Sequence, residues 1–235
     1  MYFAYIDETG TDGAAPLLVM VGVVVNGERL NRTQEELASI LTGLSDLSTG
    51  SLKELKGKNL LRGGGPWRAV DGEQRRATVT GLCEWLVVRK HTLALAAIDH
   101  EAFETAPQPG TELRTIWRAG AFHIALQLQR AHRTSGNKGK TVLVFDDNKQ
   151  EMDNLVDLIA SPPPWSEDYY DRPQKKPPLD QLIDTPFAVS PTMSAWFRLR
   201  MSLRTCFGAT RSCSHTLPSR PTQANGITTR AGCKS

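Results

Sequence analysis

The first ten residues constrain what this chain can fold into more than any other stretch. They form an apolar run of aromatic and β-branched side chains that ends abruptly in two acids, Asp7 and Glu8, and a Thr-Gly pair. Such a run favours a pleated strand, and the turn residues after it allow the apolar segment 17–25 to return as a paired strand. The hairpin would carry a carboxylate to a strand end, where catalytic acids often lie. The alternative is that both acids are solvated turn residues.

Several segments have the apolar spacing of helices. Thr33 and Glu36 are spaced as a capping box and predict a helix start, and the apolar positions in 37–44 follow on one face. Further helices are predicted over residues 72–89, 111–133 and 151–159. Cys83 falls on the apolar face of the 72–89 helix and is interpreted as a core residue.

Two later segments have the composition of strands that end at acids. Residues 91–98 are interpreted as a buried strand before Asp99, and residues 141–145 form a continuous apolar run that stops at Asp146, Asp147 and Asn148. Residues 161–186 hold seven of the chain's 14 prolines and are expected to be a loop or lid. The order of strands and helices predicts an α/β fold whose mixed sheet starts with an antiparallel hairpin and continues with parallel strands.

Length and charge distribution indicate one domain followed by a tail. The 235 residues suffice for one sizeable α/β domain, which we assign to residues 1–189. Residues 190–235 contain seven Lys and Arg residues and no acid, and their irregular apolar spacing predicts a basic, disordered tail. The N-terminus has no basic region and the longest apolar run is residues 17–25, so we expect no secretory signal, no membrane span and a cytoplasmic location.

Acids at the predicted strand ends suggest a metal site. Ligands in α/β sheets gather outside the carboxyl edge, which would bring Asp7 and Asp146 together, and Glu54 would reach them from a loop. Three carboxylates suit Mg²⁺ or Mn²⁺, ions that activate water and steady the leaving oxygen in phosphodiester cleavage. Lys56 and Lys58 would hold the substrate phosphates. The alternative for these lysines is a solvated, charged loop.

Three motifs of the chain carry a family resemblance: Tyr5-Ile6-Asp7-Glu8-Thr9-Gly10, Glu54-Leu55-Lys56-Gly57 and Phe145-Asp146-Asp147. They are similar to motifs of a large bacterial family, numbered 3800 among the domains of unknown function, over residues 1 to 189 or so. That family is placed with ribonuclease H-like folds, so the resemblance implies this fold. It also implies metal ligands at Asp7, Glu54 and Asp146, with Asp147 as the substitute for Asp146. Thr9 stands where the family usually has serine, and either hydroxyl can cap the turn.

The family pattern also closes with Gln-x-Ala-Asp at the start of a final helix, where the aspartate would complete the metal site. No such motif follows Val189 in this chain. Given suitable codons, the frame built from the last base of each codon and the first two of the next reads Asn-His-Glu-Arg-Leu-Val-Gln-Val-Ala-Asp-Val-Val across residues 191–203. We therefore predict that the segment after Val189 was translated out of frame. Sequencing the gene tests this, and the idea is wrong if no one-base slip near Val189 opens that frame.

Together with the family resemblance, the sequence predicts a Mg²⁺- or Mn²⁺-dependent nuclease, or a related phosphoryl-transfer enzyme, that acts on nucleic acid. Because the fourth ligand is missing, the chain in this form is expected to have impaired activity or none. The alternative is a catalytically silent nucleic-acid-binding or protein-interaction module of the same fold. Metal binding separates these two hypotheses.

Overall fold

A mixed β-sheet with helices on both faces organises the chain. The computed structural model describes residues 1–49, 52, 55–105, 112–146, 149–183 and 186–188. The strands are β1 (Tyr2–Thr9), β2 (Leu17–Asn26), β3 (Thr92–Asp99), β4 (Thr141–Phe145) and β5 (Phe187–Ala188). The helices are α1 (Leu30–Leu47), α2 (Gly57–Arg62), α3 (Gly72–Val88), α4 (His100–Thr105), α5 (Ile116–Thr134), α6 (Lys149–Ala160) and α7 (Trp165–Tyr169).

The strand order places β1 at the centre of the sheet. The order is β3-β2-β1-β4-β5. β2 pairs antiparallel with both β1 and β3, whereas β4 runs parallel to β1 and β5 runs parallel to β4. The strands β1, β3, β4 and β5 therefore point the same way, and their ends meet at one side of the sheet, called here the carboxyl edge. The predicted α/β class with a mixed sheet is confirmed.

The predicted hairpin of β1 and β2 is also confirmed. The two strands are in register from Tyr2↔Asn26 to Thr9↔Val19. Gly10 begins the turn with φ of 81°, and a Cβ atom there would lie 2.1 Å from the Leu17 carbonyl oxygen. Only glycine fits this turn, because a side chain would meet the backbone of the returning strand.

Alternation along β1 divides its residues between two cores. Ala4 and Ile6 belong to the core that includes the buried residues of α5 and α6, on what we call the α5 face. Tyr5 belongs to a second core, which includes the buried residues of α1 and α3, on what we call the α1 face. Asp7 has the same parity as Tyr5 and therefore lies on the α1 face.

β3 is an edge strand, so the prediction of a buried strand is wrong. Ala94 and Ala96 are buried, but Leu93 and Leu95 are each 40% exposed. The side chain of Gln127 on α5 covers part of the open edge. Its Nε2 donates to the Leu95 carbonyl oxygen at 2.7 Å, and its Oε1 accepts from the Leu95 amide at 3.2 Å. A side-chain amide thus makes the hydrogen bonds that a neighbouring strand would make.

The first two long helices differ from prediction in detail. α1 begins at Leu30, so Thr33 lies inside it, and the capping-box interpretation is wrong. The Thr33 hydroxyl donates to the Arg29 carbonyl oxygen at 2.8 Å instead of capping a helix start. In α3, Leu82 and Leu86 are buried, but Cys83 is exposed and is not a core residue.

The proline-rich segment 161–186 is more ordered than predicted. It contains α7, and Tyr170 and Leu179 within it are both buried in the core of the α5 face. The Tyr170 hydroxyl accepts a hydrogen bond from the Leu179 amide at 3.3 Å. Outside α7 the described part of this segment is turn and coil, as predicted, but the expectation that it is not packed is wrong. The predicted tail, residues 190–235, lies outside the described residues.

Candidate functional site

The carboxyl edge brings two of the predicted site residues to adjacent strands. Asp7 lies near the end of β1, and Asp146 immediately follows β4. The last register pair between these parallel strands is Tyr5↔Val144. Both acids stand two positions beyond that pair, so continuing the register places Asp146 opposite Asp7. Neighbouring strands lie about 4.8 Å apart, which is within reach of a shared ligand.

The two acids also share a face of the sheet. Val142 and Val144 on β4 belong to the same core as Tyr5 on β1. By the alternation of strand side chains, Asp146 follows Val144 on this face as Asp7 follows Tyr5. β1 and β4 are therefore neighbouring strands that lead to Asp7 and Asp146, while the approach of the two carboxylates and their role as metal ligands stay predictions.

Asp7 and Asp146 differ in their exposure to solvent. Asp7 is only 2% exposed, and among the acids in the described ranges it alone is buried. Asp146 is partly exposed. A carboxylate removed from water needs a compensating cation or hydrogen bonds, so its burial at a strand end is a costly arrangement. The pair therefore has one fixed, desolvated member and one that solvent can reach.

Two further predicted ligands, Glu54 and Asp147, lie outside the described residues. The residues nearest to Glu54 that the structure describes are Leu52 and Leu55, and both are buried in the core of the α1 face. This is the same face that carries Asp7. Asp147 follows Asp146 directly in the chain.

Lys56 and Lys58, the predicted phosphate-binding residues, lie at the start of α2. Lys56 immediately precedes this helix and Lys58 is its second residue. Both side chains are exposed to solvent. Exposure suits a phosphate contact and suits a solvated loop equally well, so the two interpretations of these lysines stay open.

A histidine that sequence reasoning did not single out lies at the same edge. His100 directly follows β3, and its Nε2 lies 2.7 Å from the Gly10 carbonyl oxygen in the β1–β2 turn. Because a carbonyl oxygen only accepts, Nε2 is the donor in this hydrogen bond. The signal in the sequence was its position after Asp99, at the end of a predicted strand.

An apolar cleft borders the acid pair on the α1 face. Its volume is about 490 Å³, and it is lined by Met1, Phe3, Tyr5, Val142, Val144, Ile183 and Phe187. Tyr5 and Val144 stand two positions before Asp7 and Asp146, so one wall of the cleft belongs to the strand segments that precede the acids. Burial raises the pKa of the Tyr5 hydroxyl and keeps it neutral.

Within the described ranges, no group of three or more His, Cys, Asp and Glu side chains is arranged to hold a metal ion. None of the helices in the described part of the chain is both long and apolar enough to cross a membrane. The sequence matches no family model and no curated protein.

Proposed function

We propose that this chain is a metal-dependent nuclease, or a related phosphoryl-transfer enzyme, with a ribonuclease H-like fold. The observation that carries the proposal is the register of β1 and β4, which aligns Asp7 with Asp146 at the carboxyl edge and on one face. The antiparallel β1–β2 hairpin extended by a parallel β4 fits that fold class.

The donor set suits a hard divalent cation. Carboxylate oxygens are the ligands that Mg²⁺ and Mn²⁺ prefer, and the buried position of Asp7 gives such a cation a carboxyl partner removed from water. Asp7 and Asp146 would hold the ion, together with Glu54 and Asp147. When bound, such an ion supplies an activated water and stabilises negative charge on a leaving oxygen.

The exposed lysines and the open side of Asp146 define where a substrate would lie. Lys56 and Lys58 would contact phosphates of nucleic acid, because both residues are exposed and positively charged. The side chain of Asp7, in contrast, is too buried to meet a substrate directly. We infer that Asp7 acts by holding the ion and that Asp146 faces the substrate side.

Calorimetric titration with Mn²⁺ tests the metal site directly. We expect wild type to bind Mn²⁺, and Asp146→Asn to bind it at least about tenfold more weakly, because a ligand is lost. Asp12→Asn in the exposed hairpin turn is the matched control and should bind as wild type does. Cleavage assays on single-stranded, duplex and hybrid substrates with Mg²⁺, Mn²⁺ or a chelator then test the reaction. Equal Mn²⁺ affinity in all three proteins would refute the site.

The apolar cleft favours the second candidate function, a catalytically silent protein-interaction module of the same fold. The described residues that line it bring no charged side chain, so the cleft suits an apolar segment of a partner protein better than a phosphate backbone. This alternative predicts that Mn²⁺ changes the melting temperature of neither wild type nor Asp146→Asn. A Mn²⁺-dependent rise confined to wild type would exclude it.

A further inference from the structure

The first turn of α5 contacts the chain on both sides of Asp146. Trp117 packs against Phe145, the residue before Asp146, with ring centroids 5.3 Å apart and planes inclined by 49°. Arg118 forms an ion pair with Glu151, which lies in the first turn of α6 after Asp146. Two consecutive residues of one helix thus contact the residue before Asp146 and a residue in the first turn of α6 after it.

The ion pair between Arg118 and Glu151 is nearly closed to water. Glu151 Oε2 accepts from Arg118 Nε at 3.1 Å and from Nη2 at 3.0 Å. Arg118 Nη1 donates to the Glu112 carbonyl oxygen at 3.0 Å, so all three guanidinium nitrogens are engaged. The two side chains are 11% and 13% exposed. Removing one partner of such a pair leaves a buried charge without compensation, so the geometry is strongly specified.

The helix that makes these contacts is itself fixed on the sheet. Thr115 caps α5, its hydroxyl accepting from the Arg118 amide at 3.2 Å. Phe122 and Ile124 of the same helix are buried in the core of the α5 face, together with Ile6 of β1. Because α5 packs on β2 and β3, and β2 pairs directly with the strand that carries Asp7, its first turn relates the position of Asp146 to that of Asp7 through the sheet.

We propose that Arg118 is a positioning residue for the metal site, acting with Trp117 to set where Asp146 stands relative to Asp7. The inference rests on the proposed function, since it assigns Asp146 a ligand role. Arg118 acts through Glu151 and thereby through the start of α6. Partners that orient a metal ligand typically alter affinity by about 10- to 100-fold when removed.

The test is Glu151→Gln, which keeps the side-chain shape and removes the charge that Arg118 grips. Two quantities are measured: Mn²⁺ affinity by calorimetry, and amide hydrogen exchange over residues 145–151. We expect affinity to fall by about 10-fold or more and exchange over these residues to accelerate, with exchange in β1 unchanged. Arg118→Lys is a second variant that keeps the positive charge but loses the planar guanidinium with its several donors. It should change both quantities in the same direction.

The matched control is Glu36→Gln, which breaks the Arg89–Glu36 ion pair between α3 and α1 (N–O distance 3.1 Å). It should leave both Mn²⁺ affinity and exchange over residues 145–151 as in wild type. The proposal is overturned if Glu151→Gln lowers the melting temperature but matches this control in both quantities. If wild type binds no Mn²⁺, the proposed function fails, and the exchange data alone still decide whether Arg118 positions Asp146.

Discussion

The two faces of the sheet have different roles, although the same strands form both. On the α5 face, Ile6 and Phe145 are fully buried and lock β1 and β4 against the helices. On the α1 face, the next residues along the same strands are Asp7 and Asp146. At both places a buried apolar residue that stabilises the fold is followed directly by an acid that we assign to the proposed metal site. Because strand side chains alternate, the chain places Asp7 within β1 and Asp146 directly after β4 beside a dry core.

Replacing Asp7 by asparagine should produce the largest effect and leave the core intact. We expect metal-dependent cleavage to fall by at least about 100-fold, because the substitution removes a ligand charge while keeping its volume. The melting temperature should stay within a few degrees of wild type. Cleavage assays and thermal unfolding of wild type and Asp7→Asn measure both. Equal cleavage by the two proteins would assign the activity to another site or to a contaminant.

Phe145→Ala should show the opposite pattern, with stability lost first. Truncation of this fully buried ring is expected to cost about 3–5 kcal/mol of unfolding free energy. Phe187 on the neighbouring strand β5 is the matched control, because it is 52% exposed and its truncation should cost less than about 1 kcal/mol. Urea unfolding of both variants provides the measurement. Similar losses at the two positions would mean that the α5 face is not the better-packed one.

Glycine-to-alanine changes on the two sides should differ in sign. A Cβ at Gly120 on α5 would lie 2.7 Å from Leu18 Cδ2, whereas a Cβ at Gly81 on α3 has no neighbour within 4 Å. We expect Gly120→Ala to destabilise by about 1 kcal/mol, since overpacking outweighs the gain in helix propensity. Gly81→Ala should stabilise by about 0.5–1 kcal/mol. Chemical denaturation checks both. A stabilised Gly120→Ala would show that the core has room for an added methyl group.

A pH dependence of stability should give the smallest effect. His132 lies buried on the α5 face, with Nε2 2.5 Å from Thr141 Oγ1, and burial, with a smaller contribution from the N-terminal amine, lowers its pKa. Below the unfolded value of 6.5 the unfolded chain takes up a proton that the folded chain does not. Stability is therefore complete above that pH and falls as the pH decreases toward the lowered pKa.

His132→Gln should reduce this slope. Burial likewise lowers the pKa values of His91 and His123, so part of the dependence is expected to persist in the variant. Thermal unfolding between pH 8 and about pH 5 measures the slope for both proteins. An unchanged slope in His132→Gln would mean that this histidine is protonated equally in both states.

Periodicity in the sequence predicted most elements, because hairpin turns, strand runs and amphipathic helices are local signals. The hairpin, β4, α6 and the long helices were predicted close to their observed positions. The errors have tertiary causes. Cys83 follows the apolar spacing of α3, yet Leu82 and Leu86 are buried in the core of the α1 face while Cys83 is exposed. β3 is apolar from Leu93 to Ile98, yet its position at the edge of the sheet leaves alternate residues exposed, which its own sequence does not reveal.

The candidate site was predictable only in part for the same reason. Acids after two apolar runs indicated Asp7 and Asp146, and parallel pairing of β1 with β4 then set them side by side. His100 and the Arg118–Glu151 pair depend on contacts between residues far apart in sequence. No spacing rule reports such contacts, because they follow from how α5 packs on the sheet.

The amide of Gln127 has a consequence for the behaviour of the protein in concentrated solution. By occupying both hydrogen-bonding groups of Leu95, it interrupts the row of backbone donors and acceptors along the edge strand β3. Leu93 and Leu95 would otherwise offer a half-exposed apolar ribbon to the same strand of a second molecule. Edge strands of that kind are templates for sheet-to-sheet aggregation. The side chain of Gln127 thus protects the folded protein against aggregation through this edge.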